Sequence, residues 1–151
     1  MKRLGLTGSA KSYLLVFIQF ACLFGLAFTG PIIARSPLWL GIEMLGLGLG
    51  VWAIVAMRFF NFNVTPDVKV DGFMVQQGPY RWIRHPMYAS LIIIGIALVA
   101  DTFTWPRFLI LLALVVDLVV KLHYEEGLLR RHYAEYEAYM MQTKRLVPYL
   151  Y

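Results

Sequence analysis

Gly78-Pro79-Tyr80-Arg81-Trp82-Ile83-Arg84-His85-Pro86-Met87-Tyr88 gathers two prolines, two arginines, a histidine and three aromatic side chains into one short stretch. Prolines so placed exclude the interior of a core helix, and a flexible linker has no use for the aromatics. The set suits a polar ligand with aromatic and anionic parts. Tyr and Trp faces stack on a planar base or attract a cation, and the arginines and histidine meet negative charge. Farther along, Asp117, Lys121 and Glu125 stand four residues apart, which puts them on one helix face at ion-pair spacing. Glu126 points about 100° away around the same helix. Charge within an apolar helix is costly and normally faces a cavity or a partner. The stripe therefore reads either as a salt-bridged interfacial helix end or as a polar track into a site.

The elements that must position these residues are apolar. Hydrophobic residues make up 60% of the 151-residue chain and the mean hydropathy is +0.64. A soluble domain has roughly 45–50%. Tyr13 to Ala34 is uncharged, and Pro37 to Met57 is interrupted only by Glu43; each is long enough for the roughly 20 residues a bilayer crossing takes. Two shorter runs, Pro86–Ala100 and Phe108–Val120, extend into their flanks around a loop at Asp101–Pro106. The expected architecture is all-α: a polytopic transmembrane bundle of one domain with about four spans, near 13–34, 37–57, 86–104 and 106–124. A connector at 58–85 and a C-terminal surface helix at His123–Gln142 complete it, with possible short extended structure at Lys69–Gln77. Gly46 and Gly50 have the small-x-x-x-small spacing of close helix approach. The first span is too long for a typical signal-peptide core.

The net charge of +5 is a matter of topology rather than of nucleic-acid binding. Twelve of the 14 basic residues fall before span 1, between spans 2 and 3, or at and after the end of span 4; Arg35 and Arg107 are the exceptions. Retained basic loops mark the cytoplasmic side, so both termini are expected there. A span 3–span 4 hairpin then returns Glu125 to the face that carries Tyr80, His85 and Tyr88. A lone cysteine, Cys22, and three dispersed histidines offer no metal signature.

Gly-Pro-Tyr-x-x-x-Arg-His-Pro-x-Tyr, a hydrophobic hairpin, and then Glu-Glu-x-x-Leu together resemble the isoprenylcysteine carboxyl methyltransferase family. The related phospholipid N-methyltransferases share that outline. The resemblance covers residues 58–150. It implies a polytopic membrane enzyme that binds S-adenosyl-L-methionine near the cytosolic face. It places cofactor contacts at Gly72, Phe73, Met74, Val75, Tyr80, His85, Pro86, Met87, Tyr88 and Glu125, with Glu126 beside them. Where prenylcysteine enzymes carry a substrate-facing Arg, this chain has Lys121. Arg holds a carboxylate through a planar fork and Lys does not, so the acceptor stays open among a carboxylate, a thiol and an amine on a lipidic or small apolar molecule.

Methyl transfer from a sulfonium is an in-line displacement, in which alignment and exclusion of water are the protein's main contributions. His85 and Glu125 are expected to position the cofactor, and Lys121 or Arg84 to orient the acceptor. The competing readings are an NADPH-dependent membrane sterol or enone reductase, which has a similar Arg-His-Pro turn, and a non-catalytic membrane scaffold. Glu43 is expected either at a lipid-facing entry or in a hydrogen bond within the bundle, and Gln19 in a bond between helices.

Overall fold

The computed structural model describes residues 9–58, 61, 63, 65–68 and 72–151. The N-terminal Lys2 and Arg3, and the first part of the expected extended segment at 69–71, lie outside the described residues. Among the described residues five helices appear in order: α1 (Ala10–Phe28), α2 (Pro37–Met57), α3 (Pro86–Asp101), α4 (Trp105–His132) and α5 (Tyr136–Gln142). A 3-10 turn at Gly78–Arg81 precedes α3. Among the described residues the extended pairing is limited to an isolated parallel bridge between Ile83 and Lys144.

α1 and α2 are long and apolar enough to cross a membrane, and α3 is a shorter apolar helix. Only 28% of the α1 span and 17% of the α2 span is buried within the chain. Phe17, Phe24, Leu45, Val51 and Val55 face outward. Apolar faces of that extent need lipid or another apolar partner. α4 is the longest helix but carries Arg107, Asp117 and Lys121, all buried.

The helix ends follow local chemistry. α1 stops at Phe28, short of the expected Ala34. Thr29 terminates it with its backbone N–H on the Gly25 carbonyl, and Gly30-Pro31 discourages continuation. α2 keeps the expected limits, with Pro37 in its first turn, where a missing N–H costs nothing. α3 ends at Asp101 rather than 104, because the Asp101 carboxylate turns back to accept the Arg35 and Ser36 amides at 2.8 and 2.9 Å. The expected C-terminal helix from His123 is instead divided. α4 runs through to His132, and α5 begins after a turn at 133–135.

α2 packs along α3 and α1 along α4, with a smaller α3–α4 contact joining the pairs. The α2–α3 approach is close at the two glycines. A Cβ on Gly46 would lie 2.9 Å from the Ile94 side chain and 3.2 Å from its backbone nitrogen, and one on Gly50 would lie 2.6 Å from Ser90 Oγ. Ser90 in turn donates to the Gly46 carbonyl at 2.7 Å. Gly46→Val should therefore destabilise the protein by about 1–3 kcal/mol, the usual cost of overpacking. Gly41→Val, at an open site on the same helix, should be near neutral. Thermal melts of the two variants in detergent check this, and equal losses would contradict the close approach.

At the end of the bundle away from the motif, buried charge is spent on backbone. The Arg107 guanidinium donates to the carbonyls of Leu26 (3.0 Å), Pro31 (3.5 Å) and Leu98 (3.1 Å). Glu43 accepts the Ala34 amide at 2.8 Å, so it takes the bundle-internal role. These bonds satisfy groups that would otherwise be buried unpaired, and they tie α1, α2, α3 and α4 at one end while the other end holds the site.

Candidate functional site

The 3-10 turn begins at Gly78, whose φ of +60° suits glycine; a Cβ there would also sit 2.9 Å from Ala56 on α2. The turn presses Tyr80 into a small cluster with Ala53 and Val75. Tyr139 of α5 donates its hydroxyl to the Tyr80 carbonyl at 2.7 Å. Burial, then the nearby Glu125 charge, pushes the Tyr80 phenol far above its ordinary pKa, so it stays a neutral donor. The amides of Arg84 and His85 are not free for a ligand. They donate to the carbonyls of Lys144 (2.7 Å) and Arg145 (3.0 Å) in the C-terminal tail.

Pro86 opens α3 directly after this turn and so orients His85 and Tyr88 together. Their rings are parallel within 3°, with centroids 5.3 Å apart. Tyr88 donates its hydroxyl to Glu125 Oε2 at 2.7 Å, and His85 Nδ1 lies 3.8 Å from the same oxygen. Four residues before Glu125, Lys121 donates to Gln19 Oε1 of α1 at 2.7 Å. Its ammonium lies 5.3 Å from the Tyr88 ring centroid, within cation–π range. The i, i+4 spacing on α4 thus delivers Lys121 and Glu125 to one wall.

Glu126 points to a different place, as its position around the helix requires. Its carboxylate is 3% exposed and gathers three cationic or imidazole partners: Arg84 Nε at 2.7 Å, Arg145 Nε at 3.1 Å and His85 Nε2 at 3.3 Å. Burial alone would raise its pKa. The bonds from His85 and Arg84, and their charge, outweigh that and hold it at about 2. Arg84 Nη1 also donates to the carbonyls of Met140 and Thr143, so that nitrogen faces the end of α5.

Between these elements lies a cavity of about 370 Å³, within the size range of small-molecule sites. Of the expected residues, Gly72, Phe73, Met74, Val75, Tyr80, Arg84, His85, Met87, Tyr88, Lys121 and Glu125 line it. Pro86 and Glu126 stand behind its wall. Asp117 is buried one turn deeper, and its oxygens accept no hydrogen bond among the described residues.

The cavity also takes residues that the sequence did not single out as ligand groups: Gln19 from α1, Asp67 from the connector, and Tyr136 and Tyr139 from α5. Asp67 accepts from Ser12 through Oδ1 at 2.9 Å, while its buried Oδ2 and the buried Tyr136 hydroxyl have no partner among the described residues. Burial, then the charges of Glu126 and Glu125, keeps the Tyr136 phenol protonated. An acceptor oxygen and a hydroxyl donor are thus left open beside one cavity. The signal for α5 in the sequence is the helical spacing of Tyr133, Tyr136, Tyr139 and Met140, which suggests a membrane-surface or core-facing stripe.

A stretch of 62 residues is 32% identical to the uncharacterized protein YpbQ of Bacillus subtilis (strain 168). It covers 38% of this chain and 36% of that protein, so the match spans about a third of the relative's length. The model of the phospholipid methyltransferase family matches residues 37–136, from the start of α2 into α5. Those residues include the Gly78–Tyr88 turn, Lys121, the Glu125–Glu126 pair and most of the cavity wall, and the chain belongs to this family of membrane methyltransferases.

Proposed function

We propose that the chain is an S-adenosyl-L-methionine-dependent methyltransferase, acting on a lipidic or small apolar acceptor whose nucleophile is a carboxylate, a thiol or an amine. The observation that carries this reading is the single cavity shared by the Gly72–Val75 segment, the Tyr80–Tyr88 turn and the Lys121–Glu125 stripe. The residues present fit the cofactor. Glu125 and the open oxygen of Asp67 offer acceptors for ribose hydroxyls or an ammonium. Tyr80, Tyr88 and Phe73 offer aromatic faces for a purine or a sulfonium. When bound, the cofactor supplies an electrophilic methyl group on sulfur.

This chain's own residues bind, align and exclude water. Tyr88 holds Glu125 at the wall through its hydroxyl. Lys121, anchored by Gln19, is the cation that orients an anionic or polar acceptor group, while Arg84 secures the turn. Phe20 and Leu23 of α1 and Ile54 and Met57 of α2 form an apolar wall for the acceptor's tail. The basic-residue distribution supports a multi-pass arrangement with the cavity and both termini on the cytoplasmic side.

S-adenosylhomocysteine and NADPH are the discriminating ligands. S-adenosylhomocysteine at roughly a hundredfold its Kd should stabilise the detergent-solubilised protein by about 2.7 kcal/mol in a thermal melt, and NADPH should not. Stabilisation by NADPH alone would replace this reading with a reductase. Membranes given cofactor labelled in its methyl group should then yield a labelled acceptor that identifies the substrate.

A further inference from the structure

Glu126 and Arg145 form a device that no cavity-lining role explains. Glu126 Oε1 lies within reach of both Arg84 Nε and His85 Nε2, and Oε2 takes Arg145 Nε. Two guanidinium groups beside a buried carboxylate keep it ionised, and an ionised carboxylate only accepts hydrogen bonds. The ring nitrogen facing it must therefore carry a hydrogen, since two lone pairs would otherwise meet in a buried site. In its neutral form the imidazole has one N–H, and in that form the other nitrogen, Nδ1, is bare. Its nearest carboxylate, Glu125 Oε2, is 3.8 Å away and already accepts the Tyr88 hydroxyl. The parallel Tyr88 ring resists tilting of the imidazole.

Arg145 acts on His85 twice. Its side chain holds Glu126, and its carbonyl accepts the His85 amide at 3.0 Å. It lies in the tail beyond α5, outside the 37–136 family match, yet it governs a residue at the centre of the cavity wall. We propose that Glu126 and Arg145 are positioning residues that fix the His85 imidazole as the Nε2–H tautomer, so that Nδ1 presents a hydrogen-bond acceptor to a hydroxyl or amino donor of the bound ligand. The ligand's identity rests on the methyltransferase reading above; the tautomer does not.

The chain has three histidines, so a long-range proton–nitrogen correlation on protein labelled with ring-¹⁵N histidine is readily assigned, with His85→Gln marking the His85 signals. In alkaline buffer without ligand, His85 should show a pyrrole-like Nε2 and a pyridine-like Nδ1. Glu126→Gln and Arg145→Gln should each move the ring toward mixed tautomers. Each should also weaken S-adenosylhomocysteine binding about tenfold, the worth of one hydrogen bond. Arg145→Lys retains a cation and should recover part of that loss. Should Glu126→Gln not fold, Arg145→Gln, whose side chain is already 27% exposed, carries the test. An Nδ1–H tautomer in the unmutated protein, or no tautomer change in Arg145→Gln, overturns the proposal. The expected tautomer without any binding of S-adenosylhomocysteine upholds the lock and removes the ligand assignment instead.

Discussion

Glu126→Ala should destabilise the protein by about 3–5 kcal/mol, the usual consequence of removing one partner from a buried charge cluster. Three groups lose their acceptor at once. Arg84, His85 and Arg145 converge on that carboxylate, and Arg84 is itself almost fully buried. The same residue sets an acid limit. Folded Glu126 titrates at about 2, against 4.5 for the free side chain. A lowered folded pKa means that its stabilisation is complete above 4.5 and disappears as pH falls toward about 2. Chemical denaturation in detergent across that window should show a steep loss for the natural protein. Glu126→Gln should be less stable near neutrality and flatter through the window. A Glu126→Ala variant as stable as the natural protein would mean that the cluster does not tie the tail to the turn.

The helical class and the pairing of turn with stripe were legible because both rest on short-range rules. Apolar runs mark helices, and i, i+4 spacing on one helix puts Lys121 and Glu125 side by side whatever else the chain does. Pro86 marked the start of α3 because proline suits the first helical turn. The place of Glu126 was less legible. Its 100° offset from Glu125 says that it leaves the cavity face, but only the folded tail supplies Arg145 as the reason it is buried.

Long-range partners account for the rest. Arg107 reads in sequence as a flank of span 4, and its three carbonyl partners come from α1, the turn after it and α3. Asp67 reads as a loop breaker because Pro66-Asp67 has turn chemistry; its role at the cavity depends on Ser12 from a distant helix. The tyrosine stripe was visible, but the turn at 133–135 decides its direction, and that turn swings Tyr136 and Tyr139 over the cavity. Propensity carries no information about such meetings.

Glu125→Ala should weaken S-adenosylhomocysteine binding and methyl transfer by roughly thirtyfold to several thousandfold, corresponding to about 2–5 kcal/mol for a charged group in a desolvated site. Its effect on folding should be smaller than that of Glu126→Ala. The Glu125 side chain is 26% exposed, and its one short bond is to a Tyr88 hydroxyl that water in the cavity can satisfy. Adjacent glutamates, one turned to the cavity and one to the tail, should thus separate cleanly: the first variant folds but does not bind, and the second binds only as far as it folds. Lys121→Gln adds a third pattern. Its ammonium lies over the Tyr88 ring and is held by Gln19 of α1, so its loss should raise the acceptor KM while S-adenosylhomocysteine affinity stays within a few fold. Isothermal titration with S-adenosylhomocysteine and radiolabel transfer assays distinguish the three. Full activity and unchanged affinity in Glu125→Ala would remove this carboxylate from the site, and with it the argument that the turn and the stripe serve one ligand.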